Sequence, residues 1–183
     1  MRAVLDACVL FPTVLREILL ESAAAGLYTP FWSERILAEW RGAAGRIGPD
    51  ADAVAGAEIA LLQARLPDAQ VTPAQDAAID LDLPDPADRH VIEAAVAADA
   101  PAIVTANLRD FPRRQLASLN IQAIHPDEFL RDLYLAHPAA ITAAVEATHA
   151  RAVAAGGDIS RKDLMRRARL PRLARAMQYQ ATD

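Results

Sequence analysis

"LPDPADRHVIEAAVAADAPAIVTAN" (residues 83–107) carries the switch from helix to strand on which the fold turns. Asp85 is a favoured N-cap, Pro86 fits the first helical position, and Asp88 puts negative charge where the helix dipole favours it. The apolar run "VIEAAVAA" then predicts a helix over 86–98. After it, "PAIVTAN" (101–107) has a β-branched run between proline and asparagine, the pattern of a buried strand. A helix leading directly into a buried strand is half of a βαβ unit.

The rest of the chain repeats that alternation. "RAVLDA" (2–7), "LYTPFW" (27–32), "AQVTP" (69–73) and "NIQAIHP" (120–126) read as extended segments. Helices are expected over 13–26, after the cap Ser33, over 50–66 and from "PDEFLRDLYLA" onward. Such alternation implies a parallel sheet in a three-layer α/β/α sandwich. From about residue 138 the strands stop. One helix is expected up to Gly156–Gly157, then one or two basic helices broken near Pro171. The expected organisation is an α/β body over 1–133 with a helical basic C-terminal extension over 134–183.

With 183 residues, 53% of them apolar, the chain can bury a substantial core. A single cysteine, Cys8, excludes an internal disulfide and any cysteine-rich zinc site. The four histidines show no i, i+4 pair, which argues against zinc. Asp6 and Pro12 spoil the N-terminal apolar segment as a signal-peptide core, and no long apolar run predicts a membrane span. A cytoplasmic protein with no membrane partner is expected. Charge is uneven. Residues 1–150 hold 11 Arg and no Lys against 21 acids, whereas residues 151–183 hold 7 Arg and 1 Lys against 3 Asp.

In a parallel α/β sheet, functional groups gather at the carboxyl ends of the strands. Asp6 ends the first strand, Glu39 lies in the helix after the second, Asp88 opens the helix before "AIVTA", and Asp110 follows that strand. Clustered carboxylates repel and raise one another's pKa, and a divalent cation reverses the penalty. Mg²⁺ prefers such oxygen ligands and can activate water beside a phosphate. Each acid also has a bland reading: Asp6 as a turn former, Glu39 as a solvated surface residue, and Asn107 with Asp110 as a local cap. Cys8, in a strand-like run, and Trp32 and Trp40 are expected in the core.

At these residues the sequence resembles a known family. "VLDACVLFP", Glu39 in "RILAEW", "LPDPADRHVIEAA" and "IVTANLRDFP" look like the four acidic motifs of the PIN domain, over about residues 2 to 133. PIN domains are metal-dependent ribonucleases of the kind found in VapC toxins of toxin–antitoxin operons. The resemblance implies Asp6, Glu39, Asp88 and Asp110 as the catalytic, metal-binding carboxylates, with Asp85 as an alternative ligand one turn before Asp88. It places Asn107 beside the site as a substrate contact. It further implies Mg²⁺ or Mn²⁺ as cofactor, RNA as substrate, a small cognate antitoxin as partner, and a homodimer.

Two other functions compete. A phosphatase of another aspartate-using fold would want a second aspartate two residues after Asp6, where the chain has Cys8. A non-catalytic PIN scaffold would not need all four acids. The tail leaves its own choice open. Arg161, Arg166 and Arg167 are candidate RNA-phosphate contacts, or the tail is an amphipathic cap whose arginines pair with acids of the body.

Overall fold

A computed structural model describes residues 1–180, so the last three residues of the expected extension lie outside the described residues. In chain order the elements are β1 (Arg2–Leu5), α1 (Ala7–Leu10), α2 (Thr13–Ala24), β2 (Thr29–Ser33), α3 (Glu34–Gly45), α4 (Pro49–Arg65) and β3 (Gln70–Val71). They continue as α5 (Arg89–Ala97), β4 (Ala102–Val104), α6 (Arg113–Leu116), β5 (Gln122–Ile124), α7 (Pro126–Ala136), α8 (Pro138–Ala154), α9 (Arg161–Arg167) and α10 (Pro171–Gln180). Single 3₁₀ turns over Pro86–Asp88 and Leu108–Asp110 introduce α5 and follow β4.

The chain divides into two compact units. The first comprises residues 1–11 and 29–124 and contains the whole sheet. All five strands are parallel, in the order β3-β2-β1-β4-β5. This is the α/β sandwich expected from the alternating sequence, with α5 packed across β2, β1 and β4. β1 is central because it is apolar throughout its inner residues. Val4 pairs with Phe31 on one side and Ile103 on the other, and Val4, Leu5, Ile103 and Val104 are completely buried. Trp32 and Trp40 are core residues, as expected. Ser33 caps α3 as expected, its hydroxyl accepting from the Ile36 N–H at 3.3 Å.

One local expectation is corrected. The strand predicted over 2–7 ends at Leu5, and Cys8 lies in the short helix α1. The Asp6 carbonyl starts that helix by accepting from Val9 N (3.0 Å) and Leu10 N (3.2 Å). Four apolar residues, "ACVL", are too few to show helical periodicity, so they read as more strand.

The second unit comprises residues 12–28 and 125–180 of the described chain and is helical. The break near Pro171 forms as expected, giving α9 and α10. Tyr28 meets Phe129 edge to face at 5.0 Å, and its hydroxyl donates to the Leu19 carbonyl at 2.9 Å. Arg151 on α8 bridges Glu17 (2.8 Å) and Glu21 (3.1 Å) of α2. The basic tail is anchored by apolar residues: Leu164, Leu170 and Leu173 are completely buried. Asp127, itself buried, accepts hydrogen bonds from the Arg172 and Leu173 N–H groups at 2.9–3.1 Å, so α7 caps the start of α10.

Candidate active site

The sheet order reverses direction at β1 and β4: the chain leaves β1 toward β2 and later returns to its other side. The carboxyl ends of β1 and β4 therefore form the crevice in which open α/β sheets place their ligands. Asp6 follows β1 there, and Thr105 to Asp110 follow β4.

Asp6 is 8% exposed, and its side chain takes no part in capping α1. Its Oδ2 instead accepts from the Thr105 hydroxyl at 2.7 Å and from the Cys8 thiol at 3.0 Å. Thr105 is completely buried, and its oxygen accepts from the Asn107 N–H at 3.0 Å. The Ala106 N–H donates to Cys8 Sγ at 3.3 Å. A chain of donors from the β4 loop thus fixes the orientation of the Asp6 carboxylate. Two hydrogen bonds to an otherwise buried charge offset much of its desolvation cost. Burial first, and the Asp6 charge second, push the Cys8 thiol up to about 12.

The two acids of "DPAD" divide their labour. Asp85 Oδ1 accepts from the Ala87 N–H at 2.8 Å and so caps the turn. Asp88 occupies the N-cap position of α5 but makes no side-chain cap. Its carboxyl is pushed up to about 6, by burial first and then by the charges of Asp6, Asp85, Asp110 and Glu39. The five acids picked from the sequence are thus close enough for four of them to act on the fifth. Asn107 makes no cap either, and its side-chain amide donates to Asp110 Oδ2. Arg109 Nε lies 3.6 Å from the other Asp110 oxygen.

Glu39 has partners that the sequence reading missed. His90 Nε2 approaches Glu39 Oε1 to 2.8 Å without the alignment of a hydrogen bond, and Arg35 Nε lies 3.4 Å from the same oxygen. Burial pushes the Glu39 carboxyl up, but His90 and Arg35 outweigh it and hold the group below its ordinary value. His90 is 4% exposed, and its Nδ1 has no hydrogen-bond partner among the described residues. Thr105 was equally unseen, although its place one residue past β4 matches that of Asp6 past β1. That equivalence was the available signal.

Arg161, Arg166 and Arg167 lie on α9 in the helical unit. Arg161 pairs with Glu146 at 2.6 Å and Arg166 with Asp163 at 2.9 Å, and all three arginines are exposed.

An all-carboxylate donor set suits a hard divalent cation such as Mg²⁺, which takes one or two carboxylates and keeps several waters. The Asp88 carboxyl is raised by burial first and then by the negative charge of its neighbours. Among the described residues, no three His, Cys, Asp or Glu side chains are placed to hold a metal ion together. A cation bound here would be completed by water or substrate oxygen.

Comparison with known proteins agrees with the geometry. The PIN domain pattern matches residues 2–109, and the chain belongs to the PIN domain family. A relative from Mycobacterium tuberculosis (strain ATCC 25618 / H37Rv), named "Putative ribonuclease VapC50", is 53% identical over 45 residues. That match covers 25% of this chain and 27% of the relative, so the chain spans about a quarter of the protein it matches. No solved structure matches significantly.

Proposed function

We propose that this protein is a divalent-metal-dependent endoribonuclease that serves as the toxin of a toxin–antitoxin pair. The observation that carries the nuclease reading is the convergence of Asp6, Asp85, Asp110 and Glu39 on Asp88, whose carboxyl they help raise to about 6. Asp6, Asp88 and Asp110 are the proposed metal-binding acids, one or two of them in direct contact and the rest through water, with Asp85 held mainly to its cap and Glu39 completing the acidic set. Mg²⁺ or Mn²⁺ bound there would supply an activated water and neutralise charge building on the scissile phosphate. The Thr105 hydroxyl holds the Asp6 carboxylate in place. Asn107, through its amide, steadies Asp110 and lies where an RNA phosphate would approach. The name of the M. tuberculosis relative supports RNA as the substrate and the toxin role. An antitoxin side chain such as arginine, bidentate on the exposed acids, would compete with metal. A homodimer acting in the cytoplasm is part of the same reading. No helix of the described chain is long and apolar enough to cross a membrane.

The test is cleavage of single-stranded RNA by purified protein with EDTA, Mg²⁺ or Mn²⁺. Metal-dependent cleavage lost in Asp6→Asn and Asp110→Asn is expected. A second reading, a binding-only scaffold, is favoured by the lack, among the described residues, of three acids placed to hold a metal ion together. RNA binding without cleavage at any metal concentration would select it.

A further inference from the structure

In the helical unit, α8, α9 and α10 enclose a groove of about 1220 Å³. Its three walls differ in chemistry. α8 offers small uncharged residues, with Ala139 and Ala143 open to solvent. α10 offers Ala174 and Met177. α9 supplies the cations Arg161, Lys162 and Arg166, followed by Arg169 just past its end, and no carboxylate lines the groove among the described residues. Arg161 and Arg166 are partly neutralised by Glu146 and Asp163, yet their side chains remain 61% and 78% exposed. Lys162 and Arg169 have no ion pair among the described residues.

We propose that this groove seats an amphipathic helix, presented by a partner protein, whose apolar face covers α8 and α10 and whose carboxylates run along α9. The volume exceeds the roughly 300–1,000 Å³ usual for small-molecule sites. It suits the apolar face of a helix, which docks through side chains spaced i, i+3, i+4 and i+7. Cations confined to one wall demand acids along one edge of the occupant. RNA fits less well. Single strands bind through stacked aromatics beside their cations, and the one aromatic in the described lining, Tyr134, is only 3% exposed. The inference is independent of the nuclease reading, because the groove shares no residue with the carboxylate cluster.

The test uses the full chain and a fluorescein-labelled peptide of about 20 residues, with leucines at that spacing and glutamates along one flank. Saturable binding, weakened at least tenfold by Ala143→Arg and by Lys162→Glu with Arg166→Glu, is expected. A scrambled peptide of the same composition should bind at least tenfold more weakly. Circular dichroism melts check that the variants are folded; both changes are at exposed positions. Asp6→Asn should bind the peptide as the wild type does, whatever becomes of RNA cleavage. Peptide binding indifferent to Ala143→Arg would overturn the proposal. So would an RNA oligonucleotide that loses affinity in Ala143→Arg while the peptide does not. Self-association by sedimentation velocity that Ala143→Arg abolishes would assign the groove to a second copy of this chain and overturn it too.

Discussion

The Thr105 hydroxyl donates to Asp6 Oδ2 across 2.7 Å, tying the end of β4 to the end of β1. Both groups are buried, so the bond is worth more than its length alone implies: losing the donor leaves a carboxylate under-solvated.

Thr105→Val keeps the shape and removes the hydroxyl. It should lower stability by about 1–2 kcal/mol in urea denaturation and cut metal-dependent cleavage at least tenfold. Thr105→Ser should restore most of both. Wild-type cleavage in Thr105→Val would remove the hydroxyl from the site's workings.

Asp88 gives a pH signature in metal-free protein. Its folded carboxyl is raised from 3.8 to about 6, so the ionised form is the one that folding penalises. The penalty is absent below about pH 4, grows as pH rises through the interval, and is complete above about pH 6. Asp88→Asn should therefore melt higher than the wild type in EDTA at pH 7, and the gap should close as the pH falls to 4. Divalent metal should shrink the gap from the other side by stabilising the wild type alone. A gap that does not change with pH would mean that burial and the neighbouring acids do not raise Asp88 as described.

Cys8 should be a poor nucleophile. With its thiol pushed up to about 12, the thiolate at pH 8 is about one part in ten thousand, against roughly a quarter for an ordinary cysteine. Ellman's reagent should label native protein at least a hundredfold more slowly than protein in guanidinium. Because the Asp6 charge contributes to the shift, Asp6→Asn should speed native labelling. Equal rates in native and unfolded protein would contradict the arrangement of Asp6, Thr105 and Cys8.

Asp127 supplies α10 with a cap from 45 residues away. Asp127→Ala strands the Arg172 and Leu173 N–H groups and should cost about 1–3 kcal/mol, read from the urea midpoint. Asp127→Asn, which keeps an acceptor oxygen, should lose less. A midpoint unmoved by the alanine change would show that α10 is held by its leucines alone.

Sequence patterning was enough to find β1, β4 and β5, the long helices and the break at Pro171, because each is written in consecutive residues. Asp6, Asp85, Asp88 and Asp110 were legible for a related reason, since each sits next to a recognisable strand or helix start, whereas Glu39, inside α3, was legible only through the family resemblance. What escaped detection depends on residues distant in the chain. Thr105 reads as one more β-branched residue of "AIVTA", and its donor role exists only because β4 lies beside β1. His90 was set aside for want of a second histidine nearby, whereas its contact is Glu39, on a different helix. β3, by contrast, falls inside the expected segment "AQVTP", although its two residues are fixed by pairing with Trp32 and Ser33.

The central place of β1 sets a timetable. Asp6 and Thr105 are 99 residues apart, and β1 is bonded along both edges only once β4 has joined it. A growing chain emerging from the ribosome can pair β1 with β2 early, yet it presents Asp6 without its donors until the β4 loop follows. Closing so long a loop is slow compared with local helix formation. The acidic site is therefore among the last parts of this unit to be completed, and a nascent chain stalled short of Thr105 has no assembled centre.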